Sequence, residues 1–188
     1  AGPDRRPEDW VGSTTALAGQ GSLGLSRLPD GRLLADAVAA EPDRWLGPAH
    51  VARYGPRTNL LVKLLDAGQR LPVHAHPDDA FAADHLRLPS GKAEAWYVLT
   101  PGIVHLGLRE MMSRDELAEL VRAQATATLL GALHERAVTP GEVVYVPPGM
   151  LHAIGEGVLL LELQQPADLS ILLEWEGFEL DGPRDGHL

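Results

Sequence analysis

Short apolar segments separated by glycine and proline recur along most of this chain. They include SLGLSR at 22–27, NLLVKLLDAG at 59–68, LPVHAH at 71–76, EAWYVLT at 94–100 and IVHLGLR at 103–109. The 20 glycines and 15 prolines favour tight turns between such segments. We therefore predict a mainly β fold of about nine or ten short strands, arranged as a sandwich or barrel.

Helical patterns are confined to a few segments. Residues 33–47 predict a short helix and then a turn, and HPDDAFAADHL predicts a second short helix. Further along, Ser113 and Glu116 have the spacing of a capping box, and an apolar face follows them. Together with TATLLGAL, this segment predicts a small helical insertion at about 113–133, between strands.

The length and charge of the chain limit its organisation and its partners. With 188 residues we expect one compact unit. In it, residues 1–55 supply strands and a short helix that pack on a barrel formed by 56–188, and the unit could be the first half of a longer protein. A net charge of −10 disfavours nucleic acid and anionic membranes as partners. No run of 18 apolar residues occurs. We expect a cytoplasmic monomer or homodimer.

Two histidines two residues apart, His74 and His76, are the first candidate metal ligands. In a strand such residues point to the same face, so both imidazoles could bind one ion. A pair of this kind also arises by chance in ordinary strands, and the pair alone leaves both readings open. The chain has no cysteine, so any metal must be bound by imidazole, carboxylate or amide groups.

Two glycine-led motifs extend this pair. The first runs from Gly68 as G-x5-H-x-H and is followed by Glu94, and the second runs from Gly141 as G-x5-P-x-G-x2-H, ending on His152. This two-part pattern resembles the cupin superfamily. The resemblance implies a double-stranded β-helix, or jelly roll, with four metal ligands: His74, His76, Glu94 and His152. Such a donor set suits zinc, iron, manganese, nickel or cobalt.

A narrower resemblance covers most of the chain. EDWVGS, NLLVKLLDAG, HPDD, GKAEAWYVL, HLGL, VTPGEVVYVPPGMLHAIGEG and LELQQPAD occur in this order. The set resembles the first half of a type I phosphomannose isomerase, a family that interconverts mannose 6-phosphate and fructose 6-phosphate. The resemblance implies one divalent cation, zinc before the others, a carbohydrate substrate and proton transfer through a cis-enediol. It also implies catalytic roles for Lys92, which in a strand shares a face with Glu94, and for Glu94 itself.

The chain departs from the family pattern at three positions. The family usually has a serine, a glutamine and a later arginine where this chain has Pro72, His74 and Leu172. Proline and leucine offer no donor to a phosphate group, whereas histidine in place of glutamine preserves a metal ligand.

Three hypotheses about function therefore remain open. The first is a metal-dependent aldose–ketose isomerase acting on a sugar or sugar phosphate. The second is another cupin metalloenzyme, such as an epimerase or dioxygenase, and the third is a non-catalytic sugar-binding domain. Four other histidines, His50, His85, His134 and His187, are expected in loops, at helix ends or in the tail, while His105 could line the site.

Overall fold

Ten strands form two five-stranded antiparallel sheets in the computed structural model, which describes residues 7–17 and 20–185. The first sheet has the order β1-β2-β9-β4-β7 and the second β10-β3-β8-β5-β6. The strands are β1 (Glu8–Val11), β2 (Leu61–Asp66), β3 (His74–Ala75), β4 (Glu94–Val98), β5 (Gly102–Leu108), β6 (Leu133–Val138), β7 (Val143–Val146), β8 (His152–Ile154), β9 (Leu159–Gln164) and β10 (Ile171–Leu172). The predicted mainly β jelly roll is confirmed.

The main core lies between the two sheets. Burial alternates along β2, β4 and β9, as the period of two in a strand requires when one face is covered. Residues of both sheets meet there: Leu65, Trp96, Val98, Val144, Val146 and Leu160 from the first, and Val104 and Ile154 from the second. The space between the sheets is therefore filled by side chains.

The predicted helical insertion covers the outer face of the second sheet. It consists of α5 (Arg114–Arg122) and α6 (Thr126–Gly131). Its N-terminus has the predicted capping box, in which the Ser113 N–H donates to the Glu116 carboxylate and the Glu116 N–H donates to the Ser113 hydroxyl. Apolar residues of these helices pack on a second core cluster: Leu117, Val121 and Leu130 against Val73, Leu133, Ala153 and Leu173.

The N-terminal region is more helical than predicted. Residues 33–47 contain two helices, α1 (Leu34–Ala40) and α2 (Pro42–Leu46), and α3 (Pro48–Tyr54) follows. The predicted turn is wrong because Pro42 and Pro48 occupy first helical positions, where a missing N–H costs nothing. The prediction that residues 1–55 supply strands and a short helix that pack on a barrel formed by 56–188 stays a prediction.

Two predicted strands differ from the structure. Residues 22–24 form turns, since Gly21 and Gly24 have positive φ angles, and Arg27 contributes an isolated bridge. LPVHAH pairs over β3 alone, because Pro72 has no N–H and the Val73 N–H donates to the buried Glu174 carboxylate at 2.8 Å.

The remaining helical elements are short. The helix predicted in HPDDAFAADHL is α4 (Asp79–Phe81), continued by a π-helical turn (Ala82–Leu86), and α7 spans Gly182–Asp185. Within the parts of the chain that the structure describes, no helix is long and apolar enough to cross a membrane.

Candidate metal centre

Three imidazoles converge between the sheets. His74 in β3 and His152 in β8 are direct cross-strand partners, and their ring centroids are 4.1 Å apart. His76, just after β3, lies 5.0 Å from the His74 ring and 4.9 Å from the His152 ring. One nitrogen from each ring lies within 4.8 Å of the others. The three predicted histidine ligands therefore surround one point, and all are buried.

Glu94 faces this point from the opposite sheet. It is the first residue of β4, and its two carboxylate oxygens lie 3.0 Å from His76 Nε2 and 3.3 Å from His152 Nε2. The Trp96 indole N–H donates to Oε1 at 2.9 Å and orients the carboxylate. The structure thus brings together all four residues that the sequence singles out as ligands.

Backbone carbonyls set the tautomer of each imidazole. Every Nδ1 lies 2.7 to 2.8 Å from a carbonyl oxygen: His74 with Pro72, His76 with Leu169 and His152 with Met150. Because a carbonyl can only accept, each Nδ1 carries the proton and each Nε2 keeps a free lone pair. Hydrogen bonds of this kind orient the histidine ligands of metal sites.

The unpartnered atoms at the centre match a bound cation. His76 Nε2, His152 Nε2 and Glu94 Oε2 are buried and have no hydrogen-bond partner among the described residues, although Glu94 Oε2 forms an ion pair with Lys92. Lone pairs that face each other across about 3 Å repel unless a positive charge lies between them. Two ligands of a tetrahedral zinc, with bonds of about 2.0–2.1 Å, would lie roughly 3.3 Å apart. The residues present therefore fit a divalent metal.

The electrostatics keep the imidazoles of His74 and His76 in the form that binds metal. Burial, with a smaller contribution from the Lys92 charge, lowers the pKa of His76 to about 4. Burial and the neighbouring His152 hold the pKa of His74 well below its ordinary value. Burial raises the pKa of Glu94, but the Lys92 ammonium and the two nearby imidazoles outweigh it and lower that pKa well below its usual range. Near neutral pH His74 and His76 are therefore uncharged and Glu94 is ionised.

Lys92 lies beside the candidate metal ligands. Its Nζ is 3.3 Å from Glu94 Oε2 and 3.6 Å from Glu162 Oε1. Burial lowers the pKa of Lys92, but the carboxylates around it, Glu162 first, raise it above its ordinary value overall. The loop that carries Lys92 is packed closely on the HPDD segment. The Lys92 N–H donates to the Pro77 carbonyl at 3.0 Å, and a Cβ at position 91 would clash with the same carbonyl, so this position requires glycine.

Sequence reasoning missed a buried group of charges behind Lys92. Lys63 in β2, whose side chain is 0% exposed, lies 3.1 Å from Asp168, 3.0 Å from Glu8 and 4.0 Å from Glu162. Both Lys63 and Glu162 face inward from otherwise apolar strands. The signal was present, since a charged residue at a core position of an alternating strand is rarely tolerated without a partner.

Two further residues clarify the site. Leu172 pairs with His74 across the β10–β3 ladder and is 5% exposed, so an apolar side chain lies on the ligand face where the family has arginine. His105 neighbours Leu106, the ladder partner of His152, so it points to the opposite face and does not line the site.

His134 belongs to β6 and His50 to α3, and neither is in a loop. His187 lies outside the described residues.

Comparison with known proteins identifies the family. The chain is 40% identical over 111 residues to mannose-6-phosphate isomerase of Streptococcus mutans, covering 58% of this chain and 34% of the relative. It is 35% identical over 139 residues to mannose-6-phosphate isomerase ManA of Bacillus subtilis, covering 71% and 43%. This chain belongs to the mannose-6-phosphate isomerase family. The chain spans a third to two fifths of the length of these relatives. No protein-family model matches it.

Solved structures of mannose-6-phosphate isomerases share the fold. The Bacillus subtilis enzyme superposes with a TM-score of 0.66 at 28% identity, over 81% of this chain and 46% of that one. A zinc-bound mannose 6-phosphate isomerase superposes with a TM-score of 0.61 at 17% identity, over 81% and 59%. The family resemblance predicted from the motifs is confirmed.

Proposed function

We propose that this chain forms the metal-binding part of an aldose–ketose isomerase that acts on a sugar or sugar phosphate, like mannose-6-phosphate isomerase. The observation that carries the proposal is the buried centre at which one nitrogen each of His74, His76 and His152 meets the Glu94 carboxylate. Zinc is the proposed ion, since it suits three nitrogens and one carboxylate and is present in a solved relative of the same fold.

The proposed reaction moves one proton between neighbouring carbons. The proton leaves C2 of the aldose while the C1 carbonyl oxygen gains one, which gives the cis-enediol. C1 is then protonated while the C2 hydroxyl loses its proton and becomes the carbonyl of the ketose. A divalent cation bound by these four residues would polarise the substrate oxygens. The residues of the chain would hold a charged group next to the C1 and C2 oxygens of the substrate and would exclude water from them.

Lys92 is the proposed group. Its ammonium lies between the Glu94 and Glu162 carboxylates, so its position is fixed from two sides and its charge is directed at the centre. There it can donate a hydrogen bond to the oxygen that gains negative charge. Glu94 acts both as the proposed metal ligand and as the partner that orients Lys92. Glu162 and Lys63 hold this arrangement from behind.

Solvent deuterium incorporation tests the proposal. The zinc-loaded chain is incubated in D2O with aldoses, ketoses and their phosphates, and the products are followed by NMR. We expect deuterium at C1 or C2 with at least one substrate, because the transferred proton exchanges with solvent. The variant His152→Ala should show none. Absence of deuterium in every sugar of the panel would contradict the isomerase assignment.

A second candidate is favoured by Leu172, whose apolar side chain lies beside His74. Without the arginine of the family, the same centre could serve another cupin reaction, such as an epimerase or dioxygenase, or bind a sugar without turnover. Iron in the purified protein with sugar-dependent oxygen consumption would favour the dioxygenase. Sugar binding without deuterium exchange would favour the binding domain.

A further inference from the structure

The outer face of the first sheet is apolar, although it is open to solvent in the structure. Ladder pairing arranges its outward side chains in two rows that cross all five strands. The rows are Val11, Val62, Leu163, Ala95 and Tyr145, and Asp9, Leu64, Leu161, Tyr97 and Val143. Within these rows the single charged residue is Asp9, in the edge strand β1. An antiparallel sheet with one face in water normally carries polar side chains on that face, so this face has the composition of a covered one.

The charged residues of the same strands point inward. Lys63 in β2, Glu94 in β4 and Glu162 in β9 face the space between the sheets and are at most 2% exposed. The usual alternation of a half-buried strand is therefore partly reversed, with charges inside and leucine, valine and tyrosine outside. Strands with apolar side chains on both faces are typical of sheets that are covered on both sides.

The second sheet shows how such a face is covered in this molecule. The insertion helices α5 and α6 pack Leu117, Val121 and Leu130 against its outer side. The outer side of the first sheet has no such cover within residues 7–17 and 20–185. Five side chains of its two rows are 40% to 66% exposed: Val11, Leu163, Tyr97, Val143 and Tyr145.

The size of this face suits a second copy of the chain. The exposed fractions leave about 600 Å² of side-chain surface open in the two rows. Leu60 and Leu99, just before β2 and just after β4, are exposed as well. The face therefore approaches the roughly 800 Å² per partner of a stable interface and lies at or above the roughly 300–600 Å² of the largest apolar patch on a monomer. We propose that the chain forms a homodimer in which the outer faces of the two first sheets pack on each other.

Charge favours one orientation of the two copies. Since β9 is the central strand of the first sheet, a two-fold axis along β9 places β1 of one copy over β7 of the other. The two Asp9 carboxylates then lie at opposite edges of the interface. An axis across the strands would place β1 on β1 and bring these carboxylates together, which is unfavourable between two chains of net charge −10. With the axis along β9, Leu163 faces its own copy and Tyr145 faces the strand that carries Asp9.

The first test places like charges on the two-fold axis. Leu163→Glu and Leu163→Lys should each raise the dissociation constant of the dimer at least about 100-fold, measured by analytical ultracentrifugation. An equimolar mixture of the two variants should recover the dimer, because glutamate then faces lysine. Met111→Glu is the matched control. It adds the same charge at an apolar position that is 99% exposed, between β5 and α5, and should leave the dimer unchanged.

The second test examines the orientation at Tyr145. Tyr145→Glu should weaken the dimer, because the new carboxylate faces the β1 edge with Asp9, whereas Tyr145→Lys should be tolerated. Equal weakening by both variants would overturn the axis along β9. This pair also replaces the first test if circular dichroism shows that the Leu163 variants are unfolded, since Tyr145 is 62% exposed and its replacement leaves the core intact.

Other outcomes would overturn the dimer. A parent chain that stays monomeric up to about 1 mM would exclude a second copy and leave a different protein as the occupant of the face. A folded Leu163→Glu variant that dimerises as tightly as the parent chain would exclude this face as the interface. Zinc content and deuterium incorporation are followed in the same samples. Their loss in a chain that still dimerises would contradict the proposed function alone, because the homodimer does not depend on it.

Discussion

Removing the His152 imidazole should abolish tight metal binding. His152 is fully buried, its Nε2 faces Glu94 at 3.3 Å, and its Nδ1 is held by the Met150 carbonyl. Loss of an outer-sphere partner lowers metal affinity 10- to 100-fold, so loss of a direct ligand should lower it at least about 100-fold. His105→Ala is the matched control. It also removes a buried imidazole from the second sheet, but from the opposite face.

Thermal unfolding with and without zinc measures this loss. At a free zinc concentration 100 times the dissociation constant, the parent chain gains about 2.7 kcal/mol, whereas a 100-fold weaker variant gains only about 0.4 kcal/mol. For a chain of this length these values correspond to Tm increases of roughly 5–11 °C and 1–2 °C. Because each variant is compared with and without zinc, the loss of stability caused by the cavity at the alanine cancels. A full zinc-dependent increase in His152→Ala, or its loss in His105→Ala, would refute the assignment of the ligands.

Three more predictions follow from the same geometry. Lys92→Met should keep one equivalent of zinc by elemental analysis while kcat falls at least about 100-fold; an unchanged kcat would remove Lys92 from the reaction. Burial lowers the pKa of His76 from 6.5 to about 4, so between these values the unfolded chain binds a proton that the folded chain does not. The free energy of unfolding of the metal-free protein should therefore fall by about 3 kcal/mol between pH 6.5 and 4, measured by denaturant titration, and a flat profile would contradict a neutral His76. Ser113→Ala should remove the capping box and cost about 1 kcal/mol, a Tm decrease of roughly 2–4 °C, without altering zinc content; an altered zinc content would mean that the insertion shapes the site.

The four candidate ligands could be picked out from the sequence because each belongs to a local pattern. His74 and His76 are two residues apart, and Pro147, Pro148 and Gly149 mark the turn before His152. Such patterns depend on neighbouring residues, and the strand period converts them into a direction in space. Glu94 lies in the first sheet and His74 and His152 lie in the second, so they come together once the two sheets face each other. The number of predicted strands already suggested a two-sheet arrangement.

The charges behind Lys92 could not be predicted in the same way. The contact between Lys63 and Asp168 joins residues 105 positions apart, and nothing local marks either as a partner of the other. Likewise, the alternation in LVKLLD shows that Lys63 faces inward but not which carboxylate meets it. Long-range pairing depends on strand order and register, and neither is encoded within a single segment.

Two of the positions at which this chain departs from the family pattern, His74 and Leu172, are neighbours in the structure. The structure makes these residues direct ladder partners in β3 and β10, on the face that carries the candidate metal ligands. Cross-strand partners lie about 5 Å apart, so a guanidinium at position 172 would lie against the imidazole and add a third cation beside the proposed metal and Lys92. Histidine at 74 is neutral and bulkier than a glutamine amide, and leucine at 172 packs against it without adding charge. The absence of the family arginine is therefore compatible with the convergence of the four candidate metal ligands.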